Sequence, residues 1–252
     1  HAPAGAPSAH FAWKVDVIAL TAGQQRCWNH GGYVHCAVEF DHAAFSISPA
    51  EAGAMDPAQR LLLEVGYEAL HNSGSRRSVL LGSDTAHVLG IARADWARLQ
   101  AERRGGYANF AVYSISADTS SVAAGRLSFA LGLQGPCQSV DTACSSGLVA
   151  AHNAALMLRA AECSAAVVSA ARLELTPQHT LDAAFAGMLS PIGRCFTLDA
   201  CATPHSNLGE PIAERAGTLQ RATPPFAEIL SGKNVWAFLV CGFLMKLFKK
   251  IS

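Results

Sequence analysis

The chain is long enough to form a large core, and its charge gives no indication of nucleic-acid binding. Half of its 252 residues are hydrophobic, only 15% are charged, and the formal net charge is zero. We therefore expect one main globular domain and exclude nucleic acid as a partner, because its binding depends on clustered basic charge.

The residues before position 28 predict a leader and a divergent N-terminal segment. Residues 1–10 are rich in Ala, Pro and Ser, which is typical of a disordered terminus or of the remnant of a targeting segment. They show no charged region followed by the long apolar run of a secretory signal. A short strand is predicted at 15–20.

Residues 28–230 show alternating helix and strand patterns. Apolar residues recur at helical spacing over 57–70, and Asp56 is placed to cap that helix before a proline. Further helices are predicted at 94–103, 119–131 and 145–160, and strands at 78–81, 86–91, 138–141 and 165–171. This order predicts an α/β fold, with a mixed sheet covered by helices. The arginines at 93, 98, 103 and 104 predict a solvated helix face.

The cysteines and histidines do not have the spacing of a metal site. No Cys-x-x-Cys pair occurs, and the histidines show no helical metal-ligand pairing. We predict no metal, no bound cofactor and a reducing, intracellular compartment. Cys137, on the strand before Cys144, is interpreted as a small core residue rather than a disulfide partner.

Residues 140–152, VDTACSSGLVAAH, place Cys144 between a strand and a helical pattern. The start of a helix offers unpaired N–H groups and the positive end of its dipole, and both favour a cysteine thiolate. The small residues Ser145, Ser146 and Gly147 leave room for an acyl group, and the N–H groups of this turn are placed to face a developing oxyanion. The alternative is a buried structural cysteine.

Several stretches resemble the β-ketoacyl synthases (ketosynthases) of modular polyketide synthases, which have the thiolase fold. They are residues 40–70, with a Met-Asp-Pro-x-x-Arg signature from Met55 to Arg60, residues 123–152 around Cys144, and residues 186–200. The resemblance implies a truncated ketosynthase fold, limited to its N-terminal half. It also implies Cys144 as the nucleophile, a phosphopantetheine-linked acyl carrier protein as the substrate, and a homodimer in which residues 111–121 approach the partner's site.

The resemblance also implies two catalytic histidines, in His-Gly-Thr-Gly-Thr and Asn-Ile-Gly-His blocks, and neither block is intact. Residues 208–212, LGEPI, resemble the segment that trails the first block, and ungapped counting puts the family's histidine at Ala202. His205 lies nearer to that segment and is the candidate general base, if the loop is shortened around it. The family's second oxyanion donor is missing too, which leaves the Cys144 N–H.

The tail, residues 231–252, matches nothing in the ketosynthase pattern. Residues 235–245 form an uninterrupted apolar run followed by lysines, too short for a bilayer span of about 20 residues. We predict an apolar C-terminal helix. It either lies at a membrane surface or on membrane subunits through residues 235–248, or packs into the core.

Three functions follow. The first is a degenerate, pseudoenzyme ketosynthase that serves as an accessory or scaffolding subunit of a larger, membrane-associated organellar complex, as the missing histidines and the tail suggest. The second is a reduced but active acyltransferase or condensing enzyme of polyketide or fatty-acid synthesis, with Cys144 acylated and His205 or a partner chain completing the site. The third is an emptied site that holds an acyl chain or a pigment-like hydrophobe.

Overall fold

The computed structural model describes residues 39–92, 95–103, 112–176, 178–188, 235–241 and 243–244. The helices in these ranges are α1 Pro49–Ala54, α2 Pro57–Asn72, α3 Arg77–Leu80, α4 Trp96–Arg103, α5 Ser114–Ala117, α6 Ser120–Leu131, α7 Ser146–Arg159 and α8 Gln178–Phe185. The strands are β1 Ala86–Ile91, β2 Cys137–Val140, β3 Ala166–Arg172, β4 Val235–Cys241 and β5 Phe243–Leu244.

The strands form one sheet in the order β2-β1-β3-β4-β5. Strands β1 to β4 run parallel, and β5 returns antiparallel to β4. Strand β1 pairs on both sides, with Gly90 beside Val140 of β2 and Ala170 of β3. The carboxyl ends of β1 and β2 therefore reach the same edge of the sheet, where the chain continues from β2 towards α7. The predicted α/β fold, with a mixed sheet and helical layers, is confirmed.

Helix α7 covers one face of the sheet through alanines. Ala150, Ala151 and Ala154 pack against Ala86 of β1 and Ala166 of β3. An alanine side chain is a single methyl group, so the helix backbone lies close to the strands. This contact fixes the height of the first turn of α7 above the sheet.

Helices α2 and α6 cover the opposite face. Leu63 and Leu70 of α2 and Leu127 and Leu131 of α6 form a buried cluster with Val167 of β3. Each of these leucines is almost fully buried, and burying one stabilises the fold by about 1.5–3 kcal/mol. The helical spacing that predicted α2 thus corresponds to its core-facing side.

Local signals in the sequence mark where two of these helices begin and end. The Asp56 side chain accepts a hydrogen bond from the Ala58 N–H at 2.7 Å and caps α2, with Pro57 at the first helical position. Helix α6 ends at Gly132, whose φ of 69° is the left-handed conformation that glycine adopts readily. Both features confirm the prediction.

The strand predicted at 78–81 is wrong, because Arg77–Leu80 forms the single helical turn α3. A short apolar run does not distinguish a strand from a helix by its periodicity. The Arg77 guanidinium donates to the carbonyls of Ala44 at 2.7 Å and Ala130 at 3.0 Å. These bonds tie α3 to the end of α6.

Within the tail, where the sequence predicts an apolar C-terminal helix, the described residues Val235–Cys241 form strand β4. It pairs in parallel with β3 from Ala166 beside Val235 to Arg172 beside Cys241. A continuous apolar run suits a parallel strand as well as it suits a helix, and pairing with β3 satisfies the backbone polar groups. No helix among the described residues has both the length and the apolar character needed to cross a membrane. The strand predicted at 15–20 lies outside the described residues.

Candidate functional site

Cys144 lies in the 3-10 turn Ala143–Ser145, which connects β2 to α7. The structure thus places it between a strand and a helix, in the order that the sequence predicted. Its side chain is exposed and its thiol is free. The alternative of a buried structural cysteine is therefore wrong.

The turn places an unusual backbone conformation directly before Cys144. Ala143 has a φ of 56°, in the left-handed region, which costs a residue with a side chain about 1–2 kcal/mol. Asp141 Oδ1 accepts a hydrogen bond from the Ala143 N–H at 3.1 Å. The chain therefore turns sharply at Ala143 and presents Cys144 to solvent.

Two serine hydroxyls close this turn. Ser146 Oγ accepts from the Thr142 N–H at 2.9 Å and donates to the Ala143 carbonyl at 2.7 Å. Ser145 Oγ donates to the Thr142 carbonyl at 2.7 Å. Ser146 is buried, whereas Cys144 beside it is exposed. The backbone on either side of Cys144 is thus held by hydrogen bonds in which the Cys144 side chain takes no part.

The expectation that several N–H groups of this turn face an oxyanion needs correction. The Ser145 N–H donates to the Thr142 carbonyl at 3.3 Å, and the Ser146 N–H donates to the Ala143 carbonyl. Both groups are engaged inside the turn. The N–H of Cys144 itself stays the predicted oxyanion donor.

Gly90 of β1 lies directly beneath the start of α7. A Cβ atom at this position would lie 2.8 Å from the Gly147 nitrogen and 2.9 Å from the Ser146 oxygen, far inside normal contact distance. Glycine is therefore required for β1 to approach the helix this closely. A lone glycine within a strand pattern often marks such an approach, so this residue could have been found from the sequence.

His87 of β1 is fully buried on the other face of the sheet, where it contacts α6. Its Nδ1 lies 2.8 Å from the Ala124 carbonyl, and its Nε2 lies 2.7 Å from Ser169 Oγ. Burial lowers the pKa of His87 to about 4, so the ring is neutral at pH 7. The neighbouring Val88 packs in the alanine cluster under α7. The sheet therefore separates His87 from Cys144.

The Met-Asp-Pro-x-x-Arg signature builds a junction between helices. Arg60 donates to the Met55 carbonyl from Nε at 3.0 Å and from Nη2 at 2.7 Å, and its guanidinium lies over the Trp96 ring. Burial raises the pKa of Asp56 to about 7, with smaller contributions from neighbouring carboxylates. The Asp56 N–H donates to the Ala117 carbonyl at 2.8 Å, so the signature joins α1, α2 and α5.

The other predicted residues divide into two groups. His205 and Ala202 lie outside the described residues, so the candidate base is not located relative to Cys144. Cys137 is exposed on β2, and its interpretation as a core residue is wrong, because β2 lies at the edge of the described sheet. Both Cys137 and Cys144 are free thiols. Within the described ranges, no cluster of three or more His, Cys, Asp or Glu side chains is arranged to hold a metal ion.

The family model of the β-ketoacyl synthase N-terminal domain matches residues 6–218. The chain belongs to the β-ketoacyl synthase family. Polyketide synthase GfsB of Streptomyces halstedii is 38% identical over 209 residues, which are 82% of this chain and 4% of that protein. Mycoketide-CoA synthase of Mycobacterium tuberculosis is 42% identical over 165 residues, which are 66% of this chain and 4% of that protein.

Solved ketosynthases have the same fold. The ketosynthase from module 6 of the Bacillus subtilis bacillaene synthase gives a TM-score of 0.56 at 33% identity, over 65% of this chain and 27% of that one. The oxazolomycin ketosynthase domain of Streptomyces albus gives a TM-score of 0.58 at 29% identity, over 66% of this chain and 28% of that one. The ketosynthase resemblance and the thiolase-like fold are confirmed. The chain spans only a small part of each polyketide synthase, and about a quarter of each ketosynthase chain.

Proposed function

We propose that this ketosynthase domain accepts an acyl group on Cys144 from a thioester carried by an acyl carrier protein of a polyketide synthase. The observation that carries the proposal is the exposed Cys144 thiol on a pinned turn between β2 and α7. Such a turn presents a nucleophile while holding its backbone still, which is what a covalent acyl transfer requires.

The step is a thioester exchange. The Cys144 sulfur attacks the carbonyl carbon of the donor thioester, and the oxyanion that forms is stabilised by the Cys144 N–H. The bond from that carbon to the phosphopantetheine sulfur then breaks, and the carrier leaves as a thiol with the proton that Cys144 gave up. No oxidant or metal is needed, because the acyl carbon keeps its oxidation state.

The carrier protein follows from this chemistry, and the second copy of the chain follows from the family resemblance. A carrier protein must bring its phosphopantetheine arm to the edge of the sheet where Cys144 lies, and a second copy of the chain would pair through the region of residues 111–121. The free thiols of Cys137 and Cys144 suit a reducing, intracellular compartment.

The second candidate is a ketosynthase-derived scaffold that no longer condenses acyl groups, as a subunit of a larger, membrane-associated organellar assembly. Its support is that Ala202 stands where ungapped counting puts the family's histidine. Condensation then depends on His205 or on a partner chain, and a scaffold requires neither.

The test is intact-mass spectrometry after exposure to an acyl-N-acetylcysteamine thioester. We expect one acyl group on the wild-type chain and on Cys137→Ser, the control for a second exposed thiol, and none on Cys144→Ala. A wild-type chain that gains no acyl mass, or a Cys144→Ala variant that gains it, would contradict the proposal. Formation of a β-ketoacyl thioester from acylated Cys144 and a malonyl thioester, with release of CO2 and lost in His205→Ala, would establish condensation and reject the scaffold.

A further inference from the structure

We infer that Ser146 and Gly90 are positioning residues that hold Cys144 in its reactive place. The inference rests on the proposed function, because it concerns the same nucleophile. Neither residue needs to touch the substrate. Ser146 acts through hydrogen bonds to the turn, and Gly90 acts through the contact of β1 with the start of α7.

The Ser146 hydroxyl joins the two ends of the bend that carries Cys144. It accepts from the Thr142 N–H at 2.9 Å and donates to the Ala143 carbonyl at 2.7 Å. The same hydroxyl therefore binds the backbone of Thr142, the last residue before the bend, and that of Ala143, the strained residue within it. Ser146 is only 6% exposed, so water cannot easily replace these bonds when the hydroxyl is removed.

Gly90 sets the distance between β1 and the start of α7, where this bend ends. The backbone of β1 contacts the Ser146 carbonyl group and the Gly147 nitrogen so closely that a Cβ atom at Gly90 would overlap them. Strand β1 pairs on both sides within the sheet, so it cannot yield, and the helix start would have to move. A methyl group at Gly90 would therefore displace the turn that carries Cys144.

Cys137 provides an internal reference for testing this. Cys137 and Cys144 are both exposed and free, and both lie on the tryptic peptide 127–159. Brief labelling of the intact folded protein with iodoacetamide, followed by fragment mass spectrometry, gives the ratio of Cys144 to Cys137 alkylation rates. We expect the loss of one buried hydrogen-bonding group in Ser146→Ala to lower this ratio about threefold to tenfold.

Matched variants separate positioning from general damage. Gly90→Ala should lower the ratio as Ser146→Ala does, and Ser146→Thr, which keeps the hydroxyl, should restore it. Ser128→Ala removes another buried serine hydroxyl, one with no hydrogen-bond partner, and Gly53→Ala adds a methyl group where nothing lies within 4 Å. Neither control should change the ratio. An unchanged ratio in Ser146→Ala, or an equal fall in Ser128→Ala, would overturn the inference.

A measurement on the wild-type chain covers the case in which a variant does not fold. Thr142 is exposed, yet its N–H should exchange with solvent at least about tenfold more slowly than that of Cys144, because it donates to Ser146 Oγ. Equal exchange rates would overturn the role of Ser146. Neither labelling nor exchange uses an acyl donor, so a failure of Cys144 acylation alone would reject the proposed function and leave this result standing.

Discussion

His87 of β1 accepts a hydrogen bond at Nε2 from Ser169 Oγ of β3, at 2.7 Å, although 82 residues separate the two in the sequence. The direction follows from the other ring nitrogen. Nδ1 lies 2.8 Å from the Ala124 carbonyl, which can only accept, so Nδ1 carries the proton and Nε2 is the acceptor. The pair therefore links β1 and β3 to α6, and both ring nitrogens of His87 have a hydrogen-bond partner.

Breaking this pair from one side should cost more than removing both partners. We expect Ser169→Ala to lower the free energy of unfolding by about 1–3 kcal/mol, because it leaves a buried Nε2 without a donor. The double variant with His87→Leu should show a favourable coupling of about 0.5–3 kcal/mol relative to the sum of the single variants. Urea denaturation of the four proteins measures the cycle, and strict additivity would show that the hydrogen bond contributes nothing.

His87 should also make stability depend on pH. Burial lowers its folded pKa to about 4 from the ordinary value of 6.5, so the unfolded chain binds the extra proton first as the pH falls. The stability that His87 contributes is present above pH 6.5 and is lost as the pH falls towards 4, by up to about 3 kcal/mol. His87→Leu should abolish this loss of stability, which is measured as the difference in the free energy of unfolding by urea between pH 7.5 and pH 4.5. An identical pH dependence in the variant would contradict the assignment.

Asp56 should make stability depend on pH in the opposite direction. Burial raises its folded pKa to about 7 from the ordinary value of 3.8, so its contribution to stability is full below pH 3.8. That contribution is lost as the pH rises through 7, by up to about 4 kcal/mol. Asp56→Asn keeps a good capping residue. Its free energy of unfolding should therefore rise relative to that of the wild type between pH 4 and pH 8. A constant difference across that range would exclude a buried, protonated Asp56.

Gly135 lies against the start of β1. A Cβ atom there would lie 2.2 Å from the Asp84 carbonyl oxygen and 2.5 Å from the Thr85 carbonyl carbon, and backbone cannot be displaced cheaply. We expect Gly135→Ala to destabilise the fold by about 2–4 kcal/mol. Gly53→Ala, in the open interior of α1, should stabilise it by about 0.5–1 kcal/mol. Thermal unfolding measures the midpoint temperatures of both variants, and equal midpoints would contradict this prediction.

Arg126 of α6 joins three other helices. It donates to Gln59 Oε1 at 2.6 Å, to Glu51 Oε1 at 2.7 Å and to the Ser116 carbonyl at 3.0 Å. Its side chain is 10% exposed and that of Glu51 is 27% exposed. Arg126→Met should therefore cost about 2–3 kcal/mol, and Glu51→Gln, which keeps an acceptor, less than about 1 kcal/mol. Similar losses in the two variants under guanidinium denaturation would show that the ion pair alone matters.

The features that the sequence predicted correctly have local causes. The cap at Asp56, the end of α6 at Gly132 and the placement of Cys144 between β2 and α7 each depend on a few adjacent residues. Helical spacing identified α2 because its buried leucines lie on one side. The ketosynthase motifs supplied the family because they too are continuous in the sequence.

The features that the sequence missed depend on distant contacts. Strand β4 was predicted as a helix because only its pairing with β3 distinguishes the two. The hydrogen bond between His87 and Ser169 joins strands that are 82 residues apart in the chain. No local pattern around these residues indicates the partner that determines them.

The alanines on the sheet-facing side of α7 have a consequence for the position of Cys144. Ala150, Ala151 and Ala154 set the spacing between the helix and the sheet, and Cys144 is carried at the end of that helix. Any larger side chain at these positions would act as a spacer and raise the sulfur relative to the sheet edge. The height of the Cys144 sulfur above the sheet is thus set by the volume of methyl groups that lie several residues further along the helix.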